Sequence, residues 1–569
     1  MTETRSITTK GQGAGDLLID ITSQLFLAVV VGLVMAVVAN TFVEGARWLL
    51  NASRADALLS VQVGNQSYNL DILLTLSGAA VLIFLVRRVL GITEWSGPAD
   101  SIYAVQQSRT PLDIRLGMGS TLTAFIAASG GGSVGQYGPL VHFGATMTEV
   151  LLKYIRIKID RRVFIACGVA GAISAGFNAP IAGVLFAHEA LLRRISVGAI
   201  APLAVTSIVA YAANQAFFKI EPTFSVPDMA IELQPLIPFL IMTAVLSAGT
   251  SVAYMAAIRK GRELAVGSQW SMPKLLLSCV LVVGFIGVLI PDVTGLGLVQ
   301  VNQMIDGQFT LGMLVILLAG KIFVTAYCLN TGFFGGVFGP ALFVGASTGA
   351  IAAYLAIFVG LEPHLSYALP VAAIAAVSGA VIGAPLTVIM IVIELTGSYA
   401  YGLSAMLCVT LCSIITLRFF GLSYFDRQLL DRGIDLGLGQ EHIEFSLTPV
   451  SEIKGGDFVR LADNIGVEDA RKALTLAQAT EAYVCDTKDV LIGKVDIHSL
   501  SQAVTLQAAL DADPIALQAN DKLTDAMATA STFVGESIPV VQEGKLVDAL
   551  SEGDIFNKVL QIQASLRQQ

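Results

Sequence analysis

Charged residues are scarce in this chain. They make up 14% of its 569 residues, against about one-quarter in an average soluble domain, and the mean hydropathy is +0.73. A wholly soluble protein is therefore excluded. Only six residues are cysteine, which excludes a secreted module stapled by disulfides, and no Gly-X-Y period of collagen is present. We expect these cysteines to be small buried apolar residues.

The few charges are unevenly distributed. Residues 441–569 hold 10 Lys and Arg and 20 Asp and Glu, whereas the first 440 residues hold 24 and 23. This shift predicts a membrane domain over residues 21–440, followed by an acidic soluble domain over residues 441–569. The acidic tail gives no indication of nucleic-acid binding.

Orientation is predicted from the ends of the apolar segments. Residues 1–20 are polar and lack the short apolar core of a signal peptide, so we expect a cytosolic N-terminal segment. Positively charged loops tend to stay cytoplasmic, and the basic cluster over residues 418–432 runs straight into the tail. We therefore expect the tail in the cytoplasm and the domain in a bacterial inner membrane, with an organelle membrane as the alternative.

Several apolar stretches are too short to cross a membrane. A helix of about 12 residues cannot span a hydrocarbon core of about 30 Å. The short stretches, which Gly and Pro interrupt, cover residues 139–152, 163–176, 180–192, 366–382 and 384–396. Broken helices leave backbone groups unpaired, and these are tolerated only inside protein or beside a polar cavity. We therefore expect the breaks to surround a site within the membrane.

The chain also repeats itself. Gly138-Pro139 recurs 201 residues later, and the segment from Ala179-Pro180 to Glu189 recurs 205 residues later as Ala384-Pro385 to Glu394. The nearly equal offsets predict two structural repeats, about 75–215 and 275–420. In transporters with inverted repeats the substrate lies where the broken helices of the halves meet. Glu189 and Glu394 would be costly in lipid, so we expect them to bond buried backbone N–H groups rather than carry protons.

Three Gly-rich breaks, over residues 95–98, 130–139 and 332–340, each precede an apolar helix. A helix start exposes about four free N–H groups and about half a positive charge. Three starts aimed at one point would hold an anion without a formal cation, and a Lys or Arg would bind the ion too tightly to release it. The alternative is that the glycines only permit close helix packing.

These motifs resemble those of the CLC family of chloride channels and chloride/proton antiporters. Residues 135–139 resemble its G-[KR]-E-G-P, residues 336–340 its G-x-F-x-P, and residues 96–98 a variant of G-S-G-I-P with the Pro one residue early. Further similar stretches cover residues 177–183, 383–394 and 423–425. The resemblance implies an all-α membrane domain with inverted-topology repeats and many broken helices. It also implies a homodimer with one pore per subunit in the lipid bilayer.

The resemblance further implies which residues bind the anion. The hydroxyls of Ser96 and Tyr424 would donate to a central chloride, and Ser96 favours chloride over fluoride or nitrate. Backbone N–H groups of the two G-P motifs would complete the site. The full expected set is Ser96, Gly97, Gln136, Tyr137, Gly138, Val337, Phe338, Gly339 and Tyr424. The structural alternatives are a helix cap for Ser96 and an interfacial aromatic anchor for Tyr424.

Two departures from the family pattern bear on the mechanism. Tyr137 replaces the gating carboxylate and stays neutral at pH 7, and Ala190 replaces the inner proton glutamate of the antiporters. We therefore expect passive, proton-independent anion flow through a channel or uniporter. Tyr137 would obstruct the outer pore, donate its hydroxyl to the anion, or only pack against neighbouring helices. His142 and His188 are expected to be residues of helix interfaces.

The tail has a repeat of its own. Residues 481–495 and 537–550 each predict a strand, a turn and a strand, and each is preceded by an Ala- and Leu-rich helix, over residues 467–477 and 522–531. This pattern resembles a tandem pair of CBS domains, a cytosolic α/β module that many CLC proteins carry.

CBS pairs often bind adenine nucleotides. Ser551 and Asp554 resemble the T-x-x-D motif whose acid holds the ribose hydroxyls, so they are the candidate nucleotide-binding residues. The first unit, with Asp496 and Ser499 at those positions, matches poorly. The alternative is a structural module that shapes the dimer and the intracellular pore mouth.

Three other functions are alternatives. A chloride/proton antiporter would need other proton-carrying groups in place of the missing carboxylates. A CBS-regulated divalent-cation channel would need carboxylates facing a pore, and only Glu189 and Glu394 are obvious. An intramembrane enzyme would need a motif such as HExxH or GxSxG, which the sequence does not contain. We therefore expect a protein that is not an enzyme and needs no metal or cofactor, with chloride as the transported ion.

Overall fold

The structure, a computed structural model, describes residues 14–55, 59–63, 66–107, 111–154, 160–218, 226 and 231–568. The chain divides into two units, residues 1–433 and 434–569. Residues 1–13 of the predicted cytosolic segment lie outside the described residues. The rest of that segment belongs to a helix, because α1 begins at Ala14.

The described part of the first unit is helical apart from one hairpin, formed by β1 (Ser60–Val63) and β2 (Gln66–Asn69). Its helices are α1 (Ala14–Ala55), α2 (Asp71–Leu90), α3 (Pro98–Gln106), α4 (Ile114–Ser129), α5 (Tyr137–Tyr154), α6 (Arg161–Phe177), α7 (Pro180–Phe186) with a π-helical continuation (Ala187–Leu192), α8 (Val197–Ala213) with a second π-helical continuation (Asn214–Phe218), α9 (Leu233–Gly267), α10 (Met272–Leu289), a 3₁₀ turn (Pro291–Val293), α11 (Leu298–Ile305), α12 (Leu311–Asn330), α13 (Phe338–Val359), a second 3₁₀ turn (Pro363–Tyr367), α14 (Ala368–Ile382), α15 (Pro385–Thr396), α16 (Tyr399–Phe419) and α17 (Tyr424–Leu430).

Gly and Pro mark the helix breaks that the sequence predicts. Pro180 and Pro385 open α7 and α15, since Pro is tolerated in a first turn where its missing N–H has no partner to lose. Gly383 ends α14 with a φ of 74°, a left-handed conformation that costs glycine little. In the described residues nine helical segments are long and apolar enough to cross a membrane. By contrast, α15 has 12 residues and is only about 18 Å long.

The two halves of the helical unit pack in the same way. Helix α6 lies against α5, α8 and α1, and α14 lies against α13, α16 and α9. The equivalence therefore includes α1 and α9, which lie outside the repeat limits predicted from the sequence. Those limits were drawn from Gly-Pro landmarks, and neither α1 nor α9 carries one.

Two carboxylates join the halves reciprocally. Glu189 accepts hydrogen bonds from the backbone N–H groups of Leu386 and Thr387 at 2.9 and 2.8 Å, at the start of α15. Glu394 accepts from those of Ile181 and Ala182, both at 2.8 Å, at the start of α7. The two glutamates are 205 residues apart in the chain, and each pair of equivalent N–H donors has the same separation. The prediction that these carboxylates bond to backbone N–H groups is confirmed, and the exchange is what a two-fold relation between halves produces.

The described part of the second unit contains two three-stranded sheets, with strand orders β3-β4-β5 and β6-β7-β8. In each sheet the first pair is parallel and the second antiparallel. The elements are α18 (Gly439–Leu447), β3 (Val459–Ala462), α19 (Val467–Ala477), β4 (Glu481–Cys485), β5 (Leu491–Asp496), α20 (Ile497–Gln502), α21 (Leu506–Ala509), β6 (Leu517–Gln518), α22 (Leu523–Ala530), β7 (Ile538–Gln542), β8 (Lys545–Leu550) and α23 (Glu552–Gln568). Both predicted strand–turn–strand segments, and the helix before each, are confirmed.

A tyrosine connects the two halves of this unit. Tyr483 on β4 is buried, and its hydroxyl donates to the Ser537 carbonyl at 2.6 Å, just before β7. Burial raises the pKa of the Tyr483 phenol above its usual value, because the ionised form would lose its hydration. The neutral hydroxyl therefore remains a donor.

Candidate anion site

The two loops that end in Gly-Pro meet directly. The N–H of Gly135 donates to the carbonyl of Gly336 and the N–H of Gly336 to that of Gly135, both at 2.7 Å. These glycines are 201 residues apart, the same offset as the Gly-Pro motifs. A Cβ at Gly135 would lie 2.7 Å from the Gly336 oxygen, so only glycine allows this approach. Helices α5 and α13 consequently begin side by side.

The third helix start joins them. Pro98, the first residue of α3, lines a narrow cavity of about 20 Å³ together with Tyr137, Gly138 and Phe338. It also lines a wide cavity of about 310 Å³, which Gly97, Val337 and Tyr424 line as well. Pro98 and Phe425 belong to both linings, so the two cavities adjoin there. The starts of α3, α5 and α13, predicted to converge, are neighbours.

The other four predicted residues, Ser96, Gln136, Gly339 and Ala190, are not among the residues that line these two cavities. Ser96 is buried, and its N–H donates to the Ser120 hydroxyl at 2.9 Å. Gln136 is 1% exposed, and neither polar atom of its side-chain amide has a partner in the described part of the chain. A Cβ on Gly339 would lie 3.0 Å from the Cα of Gly135. Ala190 is buried in the π-helical continuation of α7.

Three aromatic rings fill the region around the narrow cavity. The ring of Tyr137 stacks on Phe177 with centroids 3.8 Å apart, and Phe338 lies edge-on to both at 5.7 and 5.1 Å. We call these three residues the ring cluster. A cavity needs a volume of about 10–15 Å³ to hold one water molecule. The narrow cavity, with a volume of about 20 Å³, therefore has no room for a hydrated anion. Tyr137, at the predicted gate position, lines this cavity and packs within the ring cluster.

Charged side chains lie at the wide cavity and not at the narrow one. Asp100 accepts from the N–H of Gly97 at 2.8 Å and from Arg432 at 2.7 Å. The predicted donor at Gly97 is thus already bonded, and the carboxylate that bonds it is paired with a guanidinium. Arg262 and Glu94 line the same cavity. No motif singled out these residues, because isolated charges near helix ends are common on any solvated surface.

Two further residues that the sequence did not indicate hold the predicted site in place. Tyr254 is fully buried in α9, and its hydroxyl donates to the carbonyl of Val337 at 2.9 Å. Ser120 on α4 accepts the N–H of Ser96. Tyr254 lies 83 residues before Val337, in an apolar helix with no local pattern around it, so no sequence signal marks this contact.

Groups suited to metal binding do not cluster in the described residues: no three His, Cys, Asp or Glu side chains come close enough to hold an ion. All six cysteines are buried free thiols. The narrow cavity is lined by uncharged residues, whereas hydroxyls, helix starts and charged side chains meet at the wide cavity.

A helical unit with many apolar segments and a buried meeting point of broken helices defines an integral membrane protein. The family model for voltage gated chloride channels matches residues 78–417, and the chain belongs to this family. It is 30% identical over 433 residues to the H(+)/Cl(-) exchange transporter ClcA of Vibrio cholerae serotype O1, covering 72% of this chain and 89% of that protein.

Solved structures of the family have the same fold. A slow cyanobacterial Cl-/H+ antiporter matches with a TM-score of 0.63 and 20% identity, covering 72% of this chain and 97% of the other. A eukaryotic CLC transporter matches with a TM-score of 0.61 and 17% identity, covering 94% and 98%. The predicted CLC-like helical membrane fold is confirmed by these matches.

Proposed function

We propose that this chain conducts chloride passively, as a channel or uniporter. The observation that carries the proposal is Tyr137: the gate position holds a neutral phenol stacked on Phe177 instead of a carboxylate. Ala190 removes the inner carboxylate of the antiporter pattern. The expected anion donors around Pro98 are neutral, which suits a halide that must bind and leave. Ser96 and Tyr424 are assigned to the central anion, and the N–H groups of both G-P motifs to the rest of the path.

The test is ion flux in proteoliposomes with pH recorded simultaneously. We expect chloride to leave the vesicles, without coupled proton movement, when valinomycin makes the membrane permeable to potassium and so allows potassium to leave with it. The Vibrio cholerae relative, named as an exchanger, serves as the positive control. Uphill proton movement driven by a chloride gradient would refute passive flow, and the absence of any chloride movement would refute the choice of ion.

Chloride/proton exchange through other groups is the second candidate, and the name of the Vibrio relative favours it. Two histidines near the site are the groups available to it. His142 Nδ1 bonds the Ser101 hydroxyl at 2.7 Å and His188 Nδ1 the Arg194 carbonyl at 3.1 Å. The Nε2 atoms of both have no partner in the described residues. The proton measurement above separates this candidate from passive flow.

The divalent-cation channel finds little support. It would need the carboxylates of Glu189 and Glu394 to face a pore, and both are bonded to backbone N–H groups at helix starts. In each case the hydrogen bonds engage both carboxylate oxygens and direct them toward a helix start.

Removing the Ser96 hydroxyl tests the central anion directly. A hydrogen bond to a charged group contributes about 1.5–3 kcal/mol, so Ser96→Ala is expected to weaken chloride binding at least about tenfold in isothermal titration of the purified protein. Ser77→Ala, which removes an exposed hydroxyl that donates to the Leu73 carbonyl on α2, should leave chloride affinity unchanged. Equal affinity in Ser96→Ala and the unsubstituted chain would show that the Ser96 hydroxyl does not bind the anion; the N-cap position of α3 belongs to Gly97.

For the second unit we propose a tandem CBS pair in the cytoplasm of a homodimer in a bacterial inner membrane. The repeated strand order of the two sheets supports the pairing, although the acid and the serine stand in opposite order in the two units. Asp496 bonds Ser499 at the start of α20, and Asp554 bonds Ser551 at the start of α23. Adenine-nucleotide binding at Ser551 and Asp554 stays a prediction. The Asp554 carboxylate already accepts the Ser551 N–H at 3.0 Å, and a ribose hydroxyl would have to bond to the same carboxylate.

A further inference from the structure

A third cavity, of about 400 Å³, opens between α9, α10 and α12. Its walls are mainly apolar and aromatic, with Leu264, Leu275, Phe323 and Tyr327 among them, and Trp270 stands at the turn between α9 and α10. Phe323 and Trp270 are 49% and 53% exposed. We call this cavity the lateral groove. Within the described residues no side chain covers these rings, although the groove belongs to a membrane-embedded unit.

Cations concentrate at one end of the lateral groove. Residues 259–274 contain Arg259, Lys260, Arg262 and Lys274 but a single acid, Glu263. Lys260 lines the groove, and Lys274 precedes the lining residue Leu275. Glu263 pairs with Lys260 at 2.9 Å and Asp431 with Arg259 at 3.7 Å, whereas no carboxylate lies within ion-pair distance of Lys274 in the described part of the chain. The rim therefore keeps an excess of positive charge.

The length of α9 predicts that the cationic rim lies at the depth of lipid headgroups. Helix α9 has 35 residues and is about 52 Å long, which exceeds a hydrocarbon core of about 30 Å. The first cation after its apolar run is Arg259, so the last turns of α9 reach the membrane surface. Trp270 fits this position, because tryptophan is enriched at membrane interfaces.

We propose that the lateral groove binds an anionic phospholipid. Its acyl chain lies against Leu264, Leu275 and Phe323, and its phosphate lies between Lys260 and Lys274. Basic pockets between helices at the cytoplasmic surface favour anionic headgroups, which distinguishes this occupant from a zwitterionic lipid. Ala265 and Asn330 line both this groove and the wide cavity, so the lipid lies one wall away from the proposed anion path.

The test uses the fluorescence of Trp270 in nanodiscs. Brominated phosphatidylglycerol in unlabelled phosphatidylcholine is compared with brominated phosphatidylcholine in unlabelled phosphatidylglycerol, at equal fractions of brominated lipid. The fluorescence of Trp270 is obtained by subtracting the fluorescence of the Trp270→Phe variant from that of the unsubstituted chain. We expect brominated phosphatidylglycerol to quench Trp270 at least about twofold more strongly, because bound anionic lipid is enriched over the bulk.

Charge variants locate the effect. Lys260→Gln combined with Lys274→Gln is expected to abolish the preference. Arg418→Gln, which removes an exposed cation at the end of α16, is expected to retain it. Ser278→Phe, which fills the groove from α10, is expected to lower quenching by phosphatidylglycerol, and this variant keeps both lysines if the charge variant fails to fold.

Three results would overturn the proposal. Equal quenching by both lipids means that the groove solvates any acyl chain without selecting a headgroup. No quenching by either lipid means that a second copy or another protein covers the groove. A preference that survives the double lysine substitution means that bulk attraction to the protein, and not the rim, enriches the lipid. None of these outcomes depends on whether the chain conducts chloride.

Discussion

Truncating Tyr137 to Ala is expected to raise chloride flux on the order of tenfold. The ring of Tyr137 makes two aromatic contacts, with Phe177 and Phe338, and each such pair contributes about 0.5–1.5 kcal/mol beyond burial. If the proposed anion path runs through the narrow cavity, an ion passes only when this ring leaves the ring cluster, so the open state carries that cost. Removing the ring removes this free-energy cost. A cost of about 1.4 kcal/mol corresponds to about a tenfold change in the population of the open state.

Two variants show whether the ring or the hydroxyl matters. Tyr137→Phe retains the ring cluster and is expected to retain the low flux, whereas a hydroxyl that donates to the anion would make this variant slower than the unsubstituted chain. Tyr354→Ala removes a tyrosine from α13 whose hydroxyl donates to the Phe309 carbonyl; Tyr354 lines neither the narrow nor the wide cavity, so this variant should not change flux. The measurement is chloride efflux from proteoliposomes at equal protein density. Unaltered flux in Tyr137→Ala would show that the ring cluster is not the barrier.

Glu189→Ala is expected to lower the free energy of unfolding by about 2 kcal/mol or more. The substitution leaves the N–H groups of Leu386 and Thr387 without their acceptor, together with the Thr387 hydroxyl that donates to the same carboxylate at 2.7 Å. Leaving such donors unsatisfied costs about 1–3 kcal/mol each when they are buried. The carboxylate also faces the positive end of α15, which contributes up to about 1 kcal/mol more.

Thermal unfolding in detergent measures this effect. Glu394→Ala removes the equivalent contact to Ile181 and Ala182 and is expected to lower Tm by a similar amount. Glu189→Gln keeps one acceptor oxygen and should lower Tm by less than Glu189→Ala does. The matched control is Glu44→Ala, which removes an exposed carboxylate paired with Arg47 at 3.0 Å, a type of contact that contributes little. If Tm falls no further in Glu189→Ala than in Glu44→Ala, the reciprocal contacts do not hold the halves together.

Local backbone chemistry explains why much of the fold could be predicted. Pro at a helix start and Gly at a left-handed helix end act through the residue itself, so Pro180, Pro385 and Gly383 mark real breaks. The offset of 201 residues between the Gly-Pro motifs is also the offset of Gly135 and Gly336, which bond one another. Equivalent positions of the two sequence repeats therefore contact one another in the structure.

The partners within the site could not be predicted in this way. Phe177 belongs to a stretch that marked the family, yet nothing in the sequence placed its ring on Tyr137. Asp100 was one acid among many until its carboxylate was seen to bond the N–H of Gly97. These contacts join segments that are distant in the chain or depend on side-chain direction, and neither property is encoded in a local pattern.

The sequence alone determined that this protein has a membrane unit of broken helices in two repeats, with neutral donors at the breaks and no carboxylate at the gate position. Those features follow from residue chemistry: Gly and Pro end helices, and a phenol does not ionise at neutral pH. Tertiary structure decided that the rings of Tyr137, Phe177 and Phe338 pack together, that each half bonds the helix starts of the other, and that a cation-rimmed groove lies beside the wide cavity. Which side chains meet depends on how the helices pack.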